Sequence, residues 1–142
     1  MKKITLFSDG SALGNPGPGG YGVILRYGDK ERELSGYELH TTNNRMELKG
    51  VIEGLKVLKE PCDVTVISDS SYVIKGMTEW LPNWVKRDFK KVKNPDLWRE
   101  YIAVSKPHTI TAFWVRGHDG HVENERCDTL AKEAATKAKA LL

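Results

Sequence analysis

The chain has 142 residues, of which 39% are hydrophobic and 29% are charged, and its formal net charge is +3. This length fits one domain with its own core, and the composition excludes a disordered chain, so we expect a single domain over residues 1–142. No segment approaches transmembrane length, and the apolar stretch at residues 4–7 is too short for a signal peptide. We therefore expect a cytoplasmic protein without membrane contacts.

The first part of the chain predicts three strands. They are residues 4–8, 21–27 and 31–38. The first is expected to end at Asp9-Gly10, and the glycine- and proline-rich residues 14–20 are expected to form a loop. Gly28-Asp29 lies between the second and third strands and is a hairpin signal.

The rest of the chain predicts alternating helices and strands. Apolar residues recur at helical spacing over residues 48–58, and Asn44 followed by Glu47 resembles a capping box at the start of that helix. The later elements are a strand at 64–68, a helix from Ser70 or Ser71 to Pro82, a helix opened by Pro95, a strand at 109–115 and a final helix capped by Asn124. The order β-β-β-α-β-α-α-β-α implies an α/β fold, with a five-stranded mixed sheet flanked by helices.

Four acidic residues lie at the edges of apolar segments. Asp9 and Asp69 follow predicted strands, and Glu47 and Asp128 fall in the predicted first turns of helices. If these carboxylates converge, they need a cation or a shared proton. An oxygen-only site favours Mg²⁺ or Mn²⁺ over zinc, and paired ions of this kind serve phosphodiester hydrolysis. Each acid also has a structural explanation as a cap, a turn residue or a partner of a helix dipole.

A basic and aromatic segment follows the second predicted helix. Five of the eight residues at 86–93 are lysine or arginine, and Trp80, Trp84 and Trp98 lie nearby. Cations bind phosphates and flat rings stack on sugars and bases, so we interpret the segment as a nucleic-acid surface. The alternative is a solvated loop.

The histidines and cysteines say less about function than the acids and the basic segment do. His118 and His121 lie on a glycine-flanked loop and could move protons, or could simply hold the loop. His40 and His108 are interpreted as structural or exposed. Cys62 and Cys127 have no zinc-site spacing and are predicted to be reduced thiols.

Five segments in order resemble bacterial type 1 ribonuclease H. They are FSDGS, GNPGPGGYG, TTNNRMEL, SDSSYV and WVRGHDGHVENERCDTLA. The resemblance implies a ribonuclease H-like fold and an endonuclease that hydrolyses the RNA strand of RNA/DNA hybrids, leaving 3′-hydroxyl and 5′-phosphate ends. It also implies a monomer that uses two Mg²⁺ ions, with Mn²⁺ as an alternative.

The same resemblance implies roles for individual residues. The metal-binding carboxylates are Asp9, Glu47, Asp69 and Asp128; the catalytic histidine is His118, and Glu125 lies behind the ions. Asn15, Asn43 and Asn44 correspond to contacts in the minor groove of the hybrid, where 2′-hydroxyls distinguish RNA from DNA. Thr42 and Asn94 resemble a pocket for a DNA-strand phosphate, and Trp80 and Trp84 the aromatic part of the DNA channel.

Two departures and two alternatives accompany this assignment. The stretch between Trp84 and Trp98 is short for the family, and His40 stands where an arginine often supports the phosphate pocket. A non-catalytic hybrid-binding module, or another nuclease on the same fold, would share several motifs. A pure binder has no use for four mutually repelling carboxylates, and the asparagines and tryptophans favour ribonuclease H.

Overall fold

The computed structural model describes residues 1–117 and 121–142, and its central feature is a mixed sheet in the strand order β3-β2-β1-β4-β5. The strands are β1 Lys2–Ala12, β2 Gly17–Tyr27, β3 Lys30–Thr41, β4 Cys62–Ser68 and β5 Thr109–Trp114. β1, β2 and β3 form an antiparallel meander, whereas β1, β4 and β5 run parallel. The predicted fold class and five-stranded mixed sheet are confirmed.

Five helices complete the described part of the chain. They are α1 Asn43–Lys56, α2 Ser71–Lys75, α3 Leu81–Lys86, α4 Pro95–Ser105 and α5 Val122–Ala140. A π-helical turn, Gly76–Trp80, joins α2 to α3, so the two form one helical run and the predicted element order is confirmed. The prediction that Pro82 ends this run was wrong. Pro82 lies in the first turn of α3, where a missing backbone N–H costs little.

The glycine-rich segment was also predicted incorrectly, because Gly17–Gly20 belong to β2 and not to a loop. These glycines leave no side-chain pattern for a strand prediction to use. Their role is close packing: a Cβ atom on Gly20 would lie 2.6 Å from the carbonyl oxygen of Ala131 on α5. The absence of a side chain at Gly20 therefore allows α5 to lie close to β2.

The two faces of the sheet are covered by different helices. α1 packs on β1 and β2 and also against α4, whereas α5 packs on β1, β2 and β3. The main core lies on the α1 side and includes Leu6, Leu48, Ile52 and the fully buried Trp98. Burial of these apolar side chains is the main stabilising contribution to the fold.

Several minor predictions can be checked in the core. Cys62 and Cys127 are buried and free, which confirms the prediction of reduced thiols. His108 is structural as predicted, because its Nδ1 accepts a hydrogen bond of 3.0 Å from the backbone N–H of Cys62. Within residues 1–117 and 121–142, no helix has the length and apolarity needed to cross a membrane.

Candidate active site

Asp9 and Asp69 lie side by side because β1 and β4 are parallel neighbours. Ser8 pairs with Ser68 in the register, and each of these serines is followed by an aspartate. β4 ends at Ser68, but β1 continues to Ala12 because its last residues stay paired with β2. Asp9 therefore lies inside a strand and not at its end, which corrects the prediction, while Asp69 directly follows its strand as predicted.

Glu47 reaches the same place from α1. Thr42 caps this helix, and its Oγ1 accepts a hydrogen bond of 3.3 Å from the backbone N–H of Arg45. The predicted capping box between Asn44 and Glu47 is therefore wrong, and Glu47 lies in the second turn with its side chain buried. α1 approaches β1 closely at Gly10, where a Cβ atom would lie 2.9 Å from the Cα atom of Glu47.

Three of the four predicted acids form one cluster. Asp9, Glu47 and Asp69 each offer a carboxylate oxygen, and these oxygens lie within 4.8 Å of one another. Asp9 and Glu47 are buried and Asp69 is half-buried. The backbone N–H of Gly10 donates a hydrogen bond of 2.9 Å to Asp9 Oδ1 and so fixes that carboxyl group.

Burial and mutual repulsion raise the pKa values of two acids in the cluster. Burial, then the charge of Asp69, raises the pKa of Asp9 to about 7. Burial, followed by the charge of Asp9, also raises the pKa of Glu47 well above its usual range. Glu47 Oε2 is buried and has no hydrogen-bond partner among the described residues. Without a cation, these groups must share or retain protons near neutral pH.

Asp128 completes the rim of the cluster from α5. It lines a small cleft together with Asp9, Asp69, Asn124 and Glu125. α5 begins at Val122, so Asp128 lies in its second turn and not in the first turn as predicted. Lys132 lies one turn later, with its Nζ 3.0 Å from Asp128 Oδ2.

Asn124 is the residue of this cleft that the sequence analysis misjudged. It was predicted to cap α5, but the helix begins two residues earlier. Its side chain is buried, and neither amide atom has a hydrogen-bond partner within the described residues. The signal that could have identified it is its spacing from Asp128, because residues four apart share one helix face.

This donor set fits hard divalent cations. All of its charged donors are carboxylate oxygens, the ligands that Mg²⁺ and Mn²⁺ prefer. The buried Glu47 oxygen without a partner is a ready ligand atom, and a cation would remove the repulsion that raises the two pKa values. The arrangement is therefore suited to binding metal at the carboxyl edge of β4.

The predicted polar substrate residues fall into two groups near the start of α1. Asn15, Asn43 and Asn44 are exposed, and Asn15 Oδ1 accepts a hydrogen bond of 3.2 Å from the backbone N–H of Asn43. Asn94 lies at the start of α4, where its side chain accepts from Arg45 at 3.2 Å and donates to the hydroxyl of Tyr72 at 3.1 Å.

Arg45 and Tyr72 were missed by the sequence analysis. Arg45 makes two hydrogen bonds to the Asp96 carboxylate, at 3.0 and 2.7 Å, in addition to its bond to Asn94. Arg45 directly follows the TTNN segment that was singled out, yet only the fold brings it to α4. These contacts hold Asn94 on the same side of the molecule as Thr42, at the start of α1.

The tryptophans form a connected series of ring contacts, tilted or edge to face. The ring centroids of Trp80 and Trp84 are 5.7 Å apart, and those of Trp84 and Trp98 are 5.2 Å apart. Trp98 is fully buried and donates a hydrogen bond of 2.9 Å to the hydroxyl of Tyr72. The series of ring contacts therefore runs from the core to Trp80, which is 37% exposed.

The basic segment follows Trp84 in the chain as an irregular turn anchored by one aromatic residue. Phe89 is buried, and the guanidinium of Arg99 lies 4.9 Å from the centre of its ring. Asp88, Phe89, Lys91 and Asn94 all have positive φ angles. All five lysine and arginine residues at 86–93 are exposed, as a phosphate-binding surface requires.

His118 lies outside the described residues. Its neighbour Gly117 lies close to the acids, because a Cβ atom there would be 2.9 Å from Asp69 Oδ2. His121 is the residue directly before α5 and makes no capping hydrogen bond through its side chain.

The RNase H family profile matches residues 1–136 of the chain. The chain belongs to the ribonuclease H family. It is 66% identical over 141 residues to the ribonuclease H of Sulfurovum sp. (strain NBC37-1), with 99% of this chain and 96% of that protein covered. It is 60% identical over 137 residues to the ribonuclease HI of Helicobacter pylori (strain ATCC 700392 / 26695), with 96% of each chain covered.

Solved ribonuclease H structures share the fold. LC9-RNase H1, a type 1 RNase H with the type 2 active-site motif, has a TM-score of 0.89 at 34% identity. The match covers 96% of this chain and 74% of the LC9-RNase H1 chain. LC11-RNase H1, solved in complex with an RNA/DNA hybrid, has a TM-score of 0.69 at 26% identity, with 96% of this chain and 99% of its own covered. Ribonuclease H enzymes are divalent-metal-dependent nucleases that degrade RNA in RNA/DNA hybrids, so the predicted family and enzyme class are confirmed.

Proposed function

We propose that this chain is, as one catalytic domain over residues 1–142 and as a monomer, an endoribonuclease that cuts the RNA strand of RNA/DNA hybrids. The products would carry 3′-hydroxyl and 5′-phosphate ends. The observation that supports this most directly is the convergence of Asp9, Glu47 and Asp69 within 4.8 Å, with two of the three carboxyl groups buried. Such a cluster is costly to the fold unless it binds cations.

The proposed cofactor is a pair of Mg²⁺ ions, with Mn²⁺ as the alternative, held by Asp9, Glu47, Asp69 and Asp128. When bound, two such ions activate the attacking water and stabilise the leaving 3′-oxygen. The chain fixes the ligands beforehand: the Gly10 N–H orients Asp9, and Lys132 holds Asp128 by a contact of 3.0 Å. His118 is proposed to assist proton transfer or product release, with Glu125 beside the ions.

Substrate recognition is proposed to use the two groups of polar residues near the start of α1. Asn15, Asn43 and Asn44 are exposed next to one another and would contact the minor groove, where the 2′-hydroxyls of RNA lie. Thr42 and Asn94 would bind a phosphate of the DNA strand, with Asn94 held in place by Arg45 and Tyr72. Trp80, Trp84 and the basic segment at 86–93 would follow the DNA strand further along the hybrid.

One assay tests the proposal. An RNA/DNA hybrid, an RNA duplex and a DNA duplex of the same sequence are incubated with the protein in Mg²⁺ and in EDTA. We expect cleavage of the RNA in the hybrid alone, and only with Mg²⁺. Cleavage in EDTA would contradict the metal mechanism, and cleavage of either homoduplex would contradict the substrate.

The variant Asp69→Asn separates this proposal from a hybrid-binding module without activity. The substitution removes one ligand charge and changes the side-chain volume little. We expect hybrid binding to persist and cleavage to be lost, measured by gel shift and product gel on the same samples. If the wild type binds the hybrid but does not cut it under any metal condition, the chain is a binding module.

A further inference from the structure

The side chain that begins α4 does not cap that helix. Asn94 is the N-cap residue of α4, and its backbone is in the left-handed region, with φ 57° and ψ 44°. Asparagine is a favoured N-cap, yet this side chain makes no capping hydrogen bond. Instead it accepts a hydrogen bond of 3.2 Å from Arg45 and donates one of 3.1 Å to the Tyr72 hydroxyl. The amide is therefore held by side chains from α1 and α2 and not by its own helix.

Arg45 fixes which end of the Asn94 amide faces the Tyr72 hydroxyl. A guanidinium group can only donate hydrogen bonds, so the Asn94 atom beside it must be the carbonyl oxygen. The amide nitrogen must then face Tyr72. Arg45 is itself held by two hydrogen bonds to the Asp96 carboxylate, at 3.0 and 2.7 Å. The orientation of the amide is therefore set by groups outside it.

The Tyr72 hydroxyl accepts from two groups that can only donate towards it. Asn94 presents its amide nitrogen, and the indole Nε1 of Trp98 donates a second hydrogen bond, of 2.9 Å, to the same oxygen. A phenol oxygen has two lone pairs, so both are used. Among the residues that the structure describes, neither nitrogen has another acceptor. One hydroxyl oxygen thus satisfies two donors that would otherwise face each other.

Trp98 cannot move to find a different partner. Its side chain is fully buried, and a Cβ atom on Gly76 would clash with its ring. Its ring centroid lies 5.2 Å from that of Trp84 and 5.8 Å from those of Tyr72 and Tyr101. Close packing of this kind leaves no room for a rotated indole. The Trp98 N–H is therefore a fixed donor that the Tyr72 oxygen must meet.

We propose that Tyr72 is a positioning residue for the DNA-strand phosphate. Its hydroxyl engages one N–H of the Asn94 amide, so that the second N–H is left to donate to a phosphate oxygen beside Thr42. An anion is bound by donors, and a carbonyl oxygen in this place would repel it. The proposal rests on the function proposed above, which supplies the hybrid and the pocket of Thr42 and Asn94. It adds that a single hydroxyl sets the hydrogen-bonding polarity of that pocket.

The variant Tyr72→Phe isolates this hydroxyl. The phenyl ring keeps its edge contact with Trp98, but two N–H groups are left facing a position without an acceptor. Because unsatisfied buried donors are costly, the Asn94 amide should turn to offer its oxygen to Trp98. We expect KM to rise about three- to thirtyfold, the loss of a hydrogen bond to a charged group. The acids are unchanged, so kcat should change little.

Tyr101→Phe is a matched control from the same aromatic cluster. Tyr101 also contacts Trp98 edge to face, with ring centroids 5.8 Å apart, and it is buried. Its hydroxyl hydrogen-bonds the side chain of Ser105 and not Asn94. This variant removes a tyrosine hydroxyl from the core without changing the pocket, so its kcat and KM should match the wild type. Thermal denaturation checks that each variant is folded at the assay temperature.

The main measurement uses hybrids in which one DNA-strand phosphate is neutral. A single methylphosphonate linkage is placed at each DNA position in turn, on a hybrid with one cut site. For the wild type, KM should rise most at the one position that lies in the pocket. On that hybrid Tyr72→Phe should have the same KM as the wild type, because the contact that it weakens is already absent. On the other hybrids the KM penalty of Tyr72→Phe should persist.

Two substitutions at Asn94 test whether Tyr72 acts through it. Asn94→Ala should raise KM, and Tyr72→Phe added to it should raise KM no further. Asn94→Asp replaces the donor with a negative oxygen and should raise KM more than Asn94→Ala does. This second variant leaves Tyr72 intact, so it tests the polarity of the pocket even if Tyr72→Phe does not fold.

Four results would overturn the positioning role. The first two are a KM for Tyr72→Phe equal to that of Tyr101→Phe, and a KM penalty that is the same on every hybrid. The others are additive effects of Tyr72→Phe and Asn94→Ala, and a wild-type KM for Asn94→Asp. Wild-type KM values that do not depend on the position of the neutral linkage would overturn it as well, since no phosphate pocket would then exist. Failure of the wild type to cut any hybrid would instead overturn the proposed function.

Discussion

Asp9 on β1 and Glu47 on α1 bring two buried carboxyl groups together from different layers of the fold. Neither lies at an element end, where solvent would screen its charge. Their approach depends on Gly10, because any larger residue would place a Cβ atom against the α1 backbone. The site is therefore built at the contact between a strand and a helix, and its electrostatic cost is part of the stability of the protein.

The variant Asp9→Asn is expected to stabilise the metal-free protein and abolish cleavage. The amide has nearly the same shape and carries no charge, so it removes repulsion between Asp9 and its acidic neighbours. We expect the free energy of unfolding in EDTA at pH 7 to rise by about 1–3 kcal/mol, the usual cost of an uncompensated buried polar group. Urea denaturation measures this free energy of unfolding, and Asp29→Asn in the exposed hairpin turn is the control. Lower stability than the wild type would contradict the electrostatic argument.

The pH dependence of this stabilisation has a defined sign. The folded protein holds the Asp9 proton up to a pKa of about 7, whereas the ordinary value is 3.8. The unfolded chain binds fewer protons between these values, so the contribution of Asp9 is fully present below about pH 4 and is lost as the pH rises through 7. The stability difference between Asp9→Asn and wild type should therefore grow from pH 4 to pH 7 in EDTA. Comparing the two proteins cancels the titration of ion pairs elsewhere, and a difference that does not change with pH would refute the shift.

Divalent metal is expected to stabilise the wild type selectively. A ligand that binds only the folded state raises its stability, and Mg²⁺ would also neutralise the acids. The melting temperature of the wild type at pH 7 should rise with Mg²⁺ concentration, and that of Asp9→Asn should rise much less. An equal shift in both proteins would indicate general salt effects and not binding at the cluster.

The basic segment is expected to act through phosphates. Replacing Lys90, Lys91 and Lys93 with alanine should weaken hybrid binding and reduce the slope of log affinity against log salt by about two to three. The matched control removes the same charge from Lys59, Lys137 and Lys139, which are exposed and lie elsewhere on the surface. If both triple variants change the slope equally, the segment has no specific role and is a solvated loop.

Local sequence signals predicted most of the helices and strands. The convergence of the acids, however, depends on contacts between residues that are distant in sequence. The alternation at residues 4–8 predicts a strand, yet only the parallel pairing of β1 with β4 puts Asp9 beside Asp69. The Thr42 cap and the predicted Asn44 cap differ by two residues, and that difference moves Glu47 from the first helical turn into the second and into the core. Arg45 and Tyr72 were missed because their partners lie on α4.

The glycines of β2 under α5 have a further consequence. They set the depth at which α5 rests on the sheet, and α5 carries Asp128 and Asn124 to the acid cluster. Glycines without a side chain thus determine the position of Asp128, a proposed metal ligand. Substitution of Gly20 or Gly22 by a bulky residue would lift the helix and inactivate the enzyme while every acid remained unchanged in the sequence.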